Sequence, residues 1–513
     1  FLTLPTKGVS AIRDKINFLH CDNIYENLYW LATDIGGVVK MYRKQKQFKT
    51  QLLKDIPGIG MNNPYLRHIA GDDNHIWYNL GQQIMVEDRK DHTFQVFKNI
   101  YPSQIYGSNS TISFVLLTQE EKIIIGLANE IKELWIDEKG NQKSKSFSLE
   151  ADCISKANSI FETPKYFILG GLNGNVSIVE KAGLSGVACL DFSESLAILG
   201  KKEIYSLLMD SQSNLWIGTS NGLVLYQGIV LGEEAFIPPP KYFCYNPDDT
   251  TSLIENKITH LLEDANHNVW ISTRNGVMNA KITNGKVELK RIEAEGLQQQ
   301  VIYGILEDKE NEKLWMSTNA GLFTYELGTG RVDHFNAKDG LQGNEFNTAS
   351  FFKSKTGELF FGGPKGLTHF YPKDIELNEQ APPVWFTELR TPDDKKVDLI
   401  NFDKTETLFL DYWQRSFSIR FIGLDFFQSN ELHYFYELIG ETDTQEASLG
   451  NSRQINFSQL RPGNYSLLIR AINKDGAFSQ EGDTLRFTIR APFWKMMWFY
   501  LLITALIIGL FWL

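Results

Sequence analysis

Side-chain oxygens recur at alternate positions in Asp264-Ala-Asn266-His-Asn268, the way a loop that wraps a calcium ion begins. The segment lacks the following glycine and the distant glutamate that complete such a loop, and its counterparts at Asp210 and Asp72 sit among ordinary turn residues. It therefore reads as a turn. Gly170-Gly171-Leu-Asn-Gly174 could cradle a phosphate, yet it falls where sibling segments have their own hairpin. The carboxylate pairs Glu263-Asp264 and Glu307-Asp308 invite comparison with the two acids of glycoside hydrolysis. Adjacent residues on a strand point to opposite faces, so neither pair can flank one bond, and solvated or turn-capping roles suit them better. No H-E-x-x-H, G-x-S-x-G or G-x-x-x-x-G-K-[ST] occurs, and the nine histidines show no metal-ligand spacing. The expectation is no catalytic residue, no metal and no cofactor in this region.

What positions these residues is a repeat. A unit of roughly 43 to 54 residues, the period of propeller blades, is clearest at Ile204–Tyr226, IYSLLMDSQSNLWIGTSNGLVLY. It returns from Ile258 and from Val301, with Trp216, Trp270 and Trp315 in matching places. Weaker copies centre on Trp30, Trp77, Ile124, Ile168 and Phe361, which makes eight units between Phe1 and Tyr371. In each, an alternating apolar stretch predicts an inner strand, and an Asx-rich segment predicts a turn. A second strand then carries the tryptophan between neighbouring blades. Asn221-Gly222, Asn275-Gly276 and Ala320-Gly321 turn into a third strand, and a less regular fourth, such as Arg331 to Phe335, completes the blade. Phe1 to Leu4 could supply the closing strand, or the first unit could belong to a preceding propeller, so seven and eight blades both stand.

Aromatic content of 13% and short stretches rich in Val, Ile, Phe, Tyr and Trp fit an all-β protein. A net charge of −11 argues against a nucleic-acid surface. The four cysteines, Cys21, Cys153, Cys189 and Cys244, include no C-x-x-C pair and leave room for one or two bridges. A ligand site is expected where loops enter the innermost strands, because these converge at one mouth of the central channel. The candidate binding residues are Tyr65, Arg67, Asn158, Glu203, Lys257, Glu345 and Asn347.

Beyond Pro372 the repeat ceases, and 373–383, with Ala381-Pro382-Pro383, reads as a linker. Short strands across 384–493 suggest an immunoglobulin-like or fibronectin-like sandwich. From Met496 to Leu513 the chain is uncharged and mostly apolar, so 494–513 reads as a transmembrane helix cut short, with Trp494, Lys495, Trp498 and Tyr500 as interface anchors. A first residue of Phe1, with no signal peptide, suggests a piece of a longer polypeptide.

Repeats of the form I-x-x-L-x-E-D…N-x-W-I-x-T-x-N-G-L resemble those of two-component regulator propellers, and 339–372 resembles their closing blade. HYFYELIG from His433, LRPGNYSLLIRAINKDGAFS from Leu460 and APFWKMMWFY from Ala491 resemble the triple-tyrosine domain that follows them, with Tyr434, Tyr436 and Tyr465 as the signature tyrosines. The resemblance implies a periplasmic sensor region of a homodimeric histidine kinase of the inner membrane, joined to cytoplasmic parts by one helix and detecting an oligosaccharide. Such proteins often carry two propellers, whereas about one is visible here. A membrane-tethered enzyme acting on polysaccharide and a propeller scaffold for a protein partner are the alternatives.

Overall fold

The computed structural model describes residues 16–512 apart from short internal stretches, the longest being 57–65, 101–111 and 191–202. The chain divides into two compact units, Lys46–Glu376 and a second made of Phe1–Gln45 with Leu377–Leu513.

Within Lys46–Glu376, seven four-stranded antiparallel sheets follow one another. Blades 1 to 6 occupy 66–96, 114–148, 157–190, 204–243, 258–291 and 302–335, and blade 7 is built from 351–370 together with Lys49–Leu52. The first strand of each blade borders the first strand of the next, and Phe351–Lys353 of blade 7 borders Leu66–Gly71 of blade 1, so the ring closes. The count is therefore seven. Phe1 to Leu4 lie outside the described residues, and Lys49–Leu52 takes the closing role, running antiparallel to Gly366–Phe370 in a register that sets Gln51 opposite Leu367.

The repeat pattern follows from hydrogen bonding. Asp210 and Asp264 accept the backbone N–H groups of their own turns, and each also accepts the indole N–H of its blade's tryptophan, Trp216 or Trp270, at 2.8 Å. One carboxylate thus ties a turn to the side chain that fills the space between blades. The preceding glutamate works outward: Glu263 accepts from Ser211 N at 2.8 Å, and Glu307 from Ala265 N at 2.6 Å, each in the turn of the previous blade. The threonine of T-x-N-G braces the next hairpin, since Thr273 Oγ1 donates to Gly276 O at 2.8 Å and accepts from Asn275 N at 3.0 Å. Gly276 has φ 103° and the aligned Gly321 has φ 125°, whereas Asn275 keeps a negative φ. A Cβ on Gly321 would meet Phe335 O at 2.1 Å, so glycine is also needed for the fourth strand to approach.

Apolar faces meet between blades. Trp216 is fully buried with Leu223 of its own blade and Ile258, Leu261 and Ile271 of the next, and Trp270 packs likewise against Ile302, Ile305 and Met316. At the seam, Phe48 is buried against Phe370, Phe335 and Trp315, with ring centroids 4.8, 5.4 and 6.5 Å away. Two residues earlier, the Lys46 ammonium lies 3.1 Å from Asp339, both side chains being buried.

In the other unit, two sheets of four and five strands enclose a core that includes Phe386, Ile419, Phe421, Tyr434, Ile469 and Phe487. Tyr434 is buried and its hydroxyl accepts from Gly423 N at 3.0 Å; Tyr436 meets Phe457 edge-on. Tyr465 donates to Arg461 O at 2.8 Å and stacks on Phe487, the corner-fixing arrangement of sandwich domains. Lys396–Asp398 and Thr444–Gly450 are strands with little apolar content, whereas Gln454–Phe457 turns Ile455 and Phe457 into the core. Ile16–Cys21, Leu28–Thr33 and Val38–Tyr42 form a three-stranded sheet that keeps the blade device, Trp30 donating to Asp22 at 3.0 Å. Cys153 and Cys189 are disulfide-bonded within blade 3's region, while Cys21 and Cys244 are free. Met497–Trp512 is a 16-residue α-helix with exposed side chains, Phe499 being half-buried. At ~1.5 Å per residue it falls short of a ~30 Å hydrocarbon core, and among the described residues no helix is long and apolar enough to cross a membrane.

Trp315 tests the indole device. The turn between Asp308 and Trp315 is one residue longer than its siblings, Asn311 takes the Asp308 carboxylate, and the Trp315 N–H is buried without a partner. Trp270→Phe is expected to cost about 1–2 kcal/mol more than Trp315→Phe in urea unfolding, because it alone breaks a made hydrogen bond. Phe48→Ala is expected to lower stability by about 3–5 kcal/mol, the range for a buried phenylalanine, read as a lower urea midpoint for the propeller.

Candidate functional site

The inner strands begin at the end of the ring where the second strands finish, since Ile258 pairs with Thr273 and Ile302 with Thr318. Residues just before an inner strand, at its second position, and just after the second strand therefore share one mouth. The second position is set by a bulge: pairing skips a residue between Leu66 and His68, Ala157 and Ser159, Ile204 and Ser206, Ile258 and His260, and Ile302 and Gly304. A bulge re-aims the skipped side chain away from the ladder. The skipped residues are Arg67, Asn158, Tyr205, Thr259 and Tyr303.

Two of the positions serve the ring itself. Asn158 Nδ2 donates to Ile204 O of the next blade at 2.8 Å, and Thr259 Oγ1 donates to Ile302 O. Asn347 does the same across the seam, donating to Leu66 O at 2.6 Å. Asn158 and Asn347, expected to contact ligand, thus spend their amides on holding blades together.

Glu203, Lys257 and Glu345 come together around two tyrosines. The Tyr205 hydroxyl donates to Glu203, the Lys257 ammonium lies 4.5 Å from the centre of the Tyr205 ring, and Tyr303 donates to Glu345 Oε1 at 2.5 Å. Arg274, exposed after the second strand of blade 5, is close enough to act on Tyr205, Tyr303 and Lys257 alike. Burial, with the hydrogen bond and charge of Glu203 second, pushes the Tyr205 phenol up to about 12 against the opposing pull of Arg274. Burial and then Glu345 raise Tyr303. Both phenols consequently stay protonated and can donate. Burial and then Arg274 lower the Lys257 ammonium, which Glu203 partly restores. The cluster spans blades 4 to 7 and offers two aromatic faces, two cations and two carboxylates.

Arg67 stands apart, exposed on blade 1, where its charge joins burial in lowering Lys156 of blade 3. Tyr65 lies outside the described residues. Tyr205, Arg274 and Tyr303 were not singled out from sequence; the signal available was the repeat column itself, where Arg67, Asn158, Tyr205, Thr259 and Tyr303 align at the break in apolar alternation.

At the opposite end, Ser211 Oγ lies 2.8 Å from His267 Nδ1, and Glu263 contacts both residues. Hydroxyl and carboxylate meet the same imidazole nitrogen, whereas a proton relay needs one on each. The group is a blade-to-blade tie of the kind Ala265 and Glu307 make. Among the described residues no three His, Cys, Asp or Glu side chains are grouped to hold a metal.

Comparison with known proteins follows the same architecture. Residues 198–221 and 252–275 match the two component regulator propeller family, and residues 425–490 match the Y_Y_Y domain. Histidine kinase P4 of Formosa agariphila is 27% identical over 324 residues, which are 62% of this chain and 23% of that protein. The extracellular domain of the putative hybrid two component system BT3049 from B. thetaiotaomicron superposes with a TM-score of 0.69 at 20% identity, covering 93% of this chain and 62% of that one. These matches uphold the resemblance read from the repeats and the tyrosines.

Below the mouth, His260 is half-buried on the inner strand of blade 5, its Nδ1 accepting from Ile305 N at 3.2 Å and its ring 4.4 Å from Phe351. Burial lowers its pKa to about 3, and His68, buried beside Arg67, is lowered to about 4. Between the ordinary value of 6.5 and these folded values the unfolded chain binds protons that the folded chain refuses, so stability falls as pH falls. The expected slope is about 1.4 kcal/mol per pH unit for each histidine. Urea midpoints measured from pH 7 to 4.5 should decline, and His260→Asn should flatten the decline.

Proposed function

Starting from a chain that joins two component regulator propeller repeats to a Y_Y_Y domain, we propose that it is the extracytoplasmic sensing region of a membrane-bound sensor histidine kinase, and that its ligand is an oligosaccharide. The observation that carries the ligand reading is the Tyr205–Lys257–Arg274–Tyr303 cluster with Glu203 and Glu345. Tyrosine faces offer apolar surface to the C–H side of a sugar ring, while phenol, ammonium and guanidinium donors and carboxylate acceptors match ring hydroxyls. Both carboxylates of the cluster, Glu203 and Glu345, are already held by tyrosine hydroxyls, which suits them to accept further hydrogen bonds from a bound sugar.

Signal transfer follows from which parts are stiff. A ligand spanning blades 4 to 7 binds one arrangement of a receptor homodimer better than another and shifts the equilibrium between them. The sandwich passes the change on at its last strand, where Arg490 N donates to Leu410 O at 2.8 Å and Trp494 packs edge-on against Tyr412 at 4.9 Å, so little slack separates the domain from the helix. The helix then anchors the protein in the inner membrane, with this region in the periplasm.

Calorimetry of the whole chain in nanodiscs against a panel of oligosaccharides tests the reading. A ligand of this site should bind at least about tenfold more weakly to Tyr303→Ala and to Arg274→Ala, a loss of about 1.4 kcal/mol. Melting temperatures should stay unchanged because neither side chain is in the core. Unaltered affinity in both variants would remove the mouth from consideration, and released product would favour the enzyme alternative.

A further inference from the structure

One end of the sandwich has a surface that the core does not use. Three segments meet there: Leu408–Leu410 with the turn through Arg415, the loop 458–462, and the stretch from Arg490 to Met496. They are fastened to one another by Arg490 N to Leu410 O at 2.8 Å, Leu460 N to Arg415 O at 3.1 Å and Gln459 N to Ser416 Oγ at 3.0 Å. Phe409 and Trp413 are each 60% exposed, and Phe493 and Trp494 are also exposed. Tyr412 joins them, its ring 5.1 Å from Trp413 and 4.9 Å from Trp494, and Arg490 lies over Phe409 at 5.3 Å.

The three segments are themselves mostly basic, although Glu441 lies beside Gly463 and acts with Asp443 on Tyr465. Arg415, Arg461, Arg490 and Lys495 are exposed, and Asp411 is the lone carboxylate in the three segments, within a protein of net charge −11. The same surface continues directly into Met497–Trp512, whose described side chains are mostly apolar and, apart from half-buried Phe499, exposed. Exposed aromatics interleaved with arginine and lysine are what a lipid headgroup layer accepts, with rings at the acyl boundary and cations at the phosphates.

We propose that this end of the sandwich lies against the bilayer, with Phe409 and Trp413 in the headgroup region as a second point of contact beside the helix. The proposal rests on the reading that the helix enters lipid. A second copy of the chain is the poorer occupant, because a two-fold contact through this face would set a mostly basic surface, with only Arg490 among the described residues paired within it by Asp411, against its own copy. Two contacts fix the tilt of the sandwich as well as its height, so a rotation delivered from the propeller reaches the helix rather than being lost by rocking.

The test uses the whole chain in phospholipid vesicles, with Cys21→Ser and Cys244→Ser as background. Phe409→Cys, Trp413→Cys, Leu506→Cys and Gln445→Cys are made singly and spin-labelled, and collisions with oxygen and with a water-soluble nickel chelate are measured. Labels at 409 and 413 should show several-fold fewer nickel collisions and more oxygen collisions than the label at 445, which sits on an exposed strand. Adding Arg415→Glu and Arg461→Glu should return nickel access at 413. If 409 and 413 are as open to nickel as 445 while 506 is lipid-buried, the second contact is wrong and the membrane reading stands. If 506 itself is open to nickel, the membrane reading fails. Shielding of 413 from both agents, equal in micelles and vesicles, means a protein covers this face and overturns the proposal.

Discussion

The ring exists because a strand from one end of the propeller unit completes a blade at the other. Lys49–Leu52 adds to Gly366–Phe370, Phe48 enters the space among Trp315, Phe335 and Phe370, and the buried Lys46–Asp339 pair fixes the segment that carries both. A blade alone leaves two apolar faces and a row of unpaired backbone groups open to water. Closure covers the last of these at once, so the seam holds together contacts that local interactions elsewhere only repeat. An ion pair in such a place contributes more to where the segment sits than to net stability, since desolvation offsets much of its attraction.

Once closed, the ring sorts side chains at its mouth into two kinds. Asn158, Thr259 and Asn347 reach the carbonyl of the next blade and are consumed as ties, and Ser206 and His260 do the same deeper down by accepting Leu261 N and Ile305 N. Tyr205 and Tyr303 occupy the equivalent bulge positions but turn their hydroxyls to Glu203 and Glu345 instead. The candidate site is thus the part of a structural ring in which the tie has been replaced by a group that faces solvent. Its two phenols and Lys257 are held by neighbours, which would lower the ordering cost of binding there.

The sandwich differs from the propeller in how it is fixed. Its tyrosines brace the domain: Tyr434 accepts from a backbone amide in the core, Tyr436 packs on Phe457 and Tyr465 pins a corner. They make a firm block between sheet and helix. A block of this kind moves as one piece, and its aromatic and basic end around Trp413 and Arg415 is the end that runs into the helix.

Sequence alone determined the elements that rest on local chemistry. Asx turns, the tryptophan spacing and the N-G hairpins are each written within a few dozen residues, and they were enough to give the blades, the sandwich that follows and the family resemblance. Residues at the channel mouth were legible in position but not in role: Glu203, Lys257 and Glu345 meet the tyrosines, whereas Asn158 and Asn347 turn to backbone carbonyls. No local pattern separates these outcomes, because the carbonyl that captures Asn347 belongs to Leu66, 281 residues away. Blade number and closure were undecided for the same reason. Lys49–Leu52 is a short polar stretch whose partner lies more than 300 residues on, and pairing at that distance is set by the geometry of the finished ring.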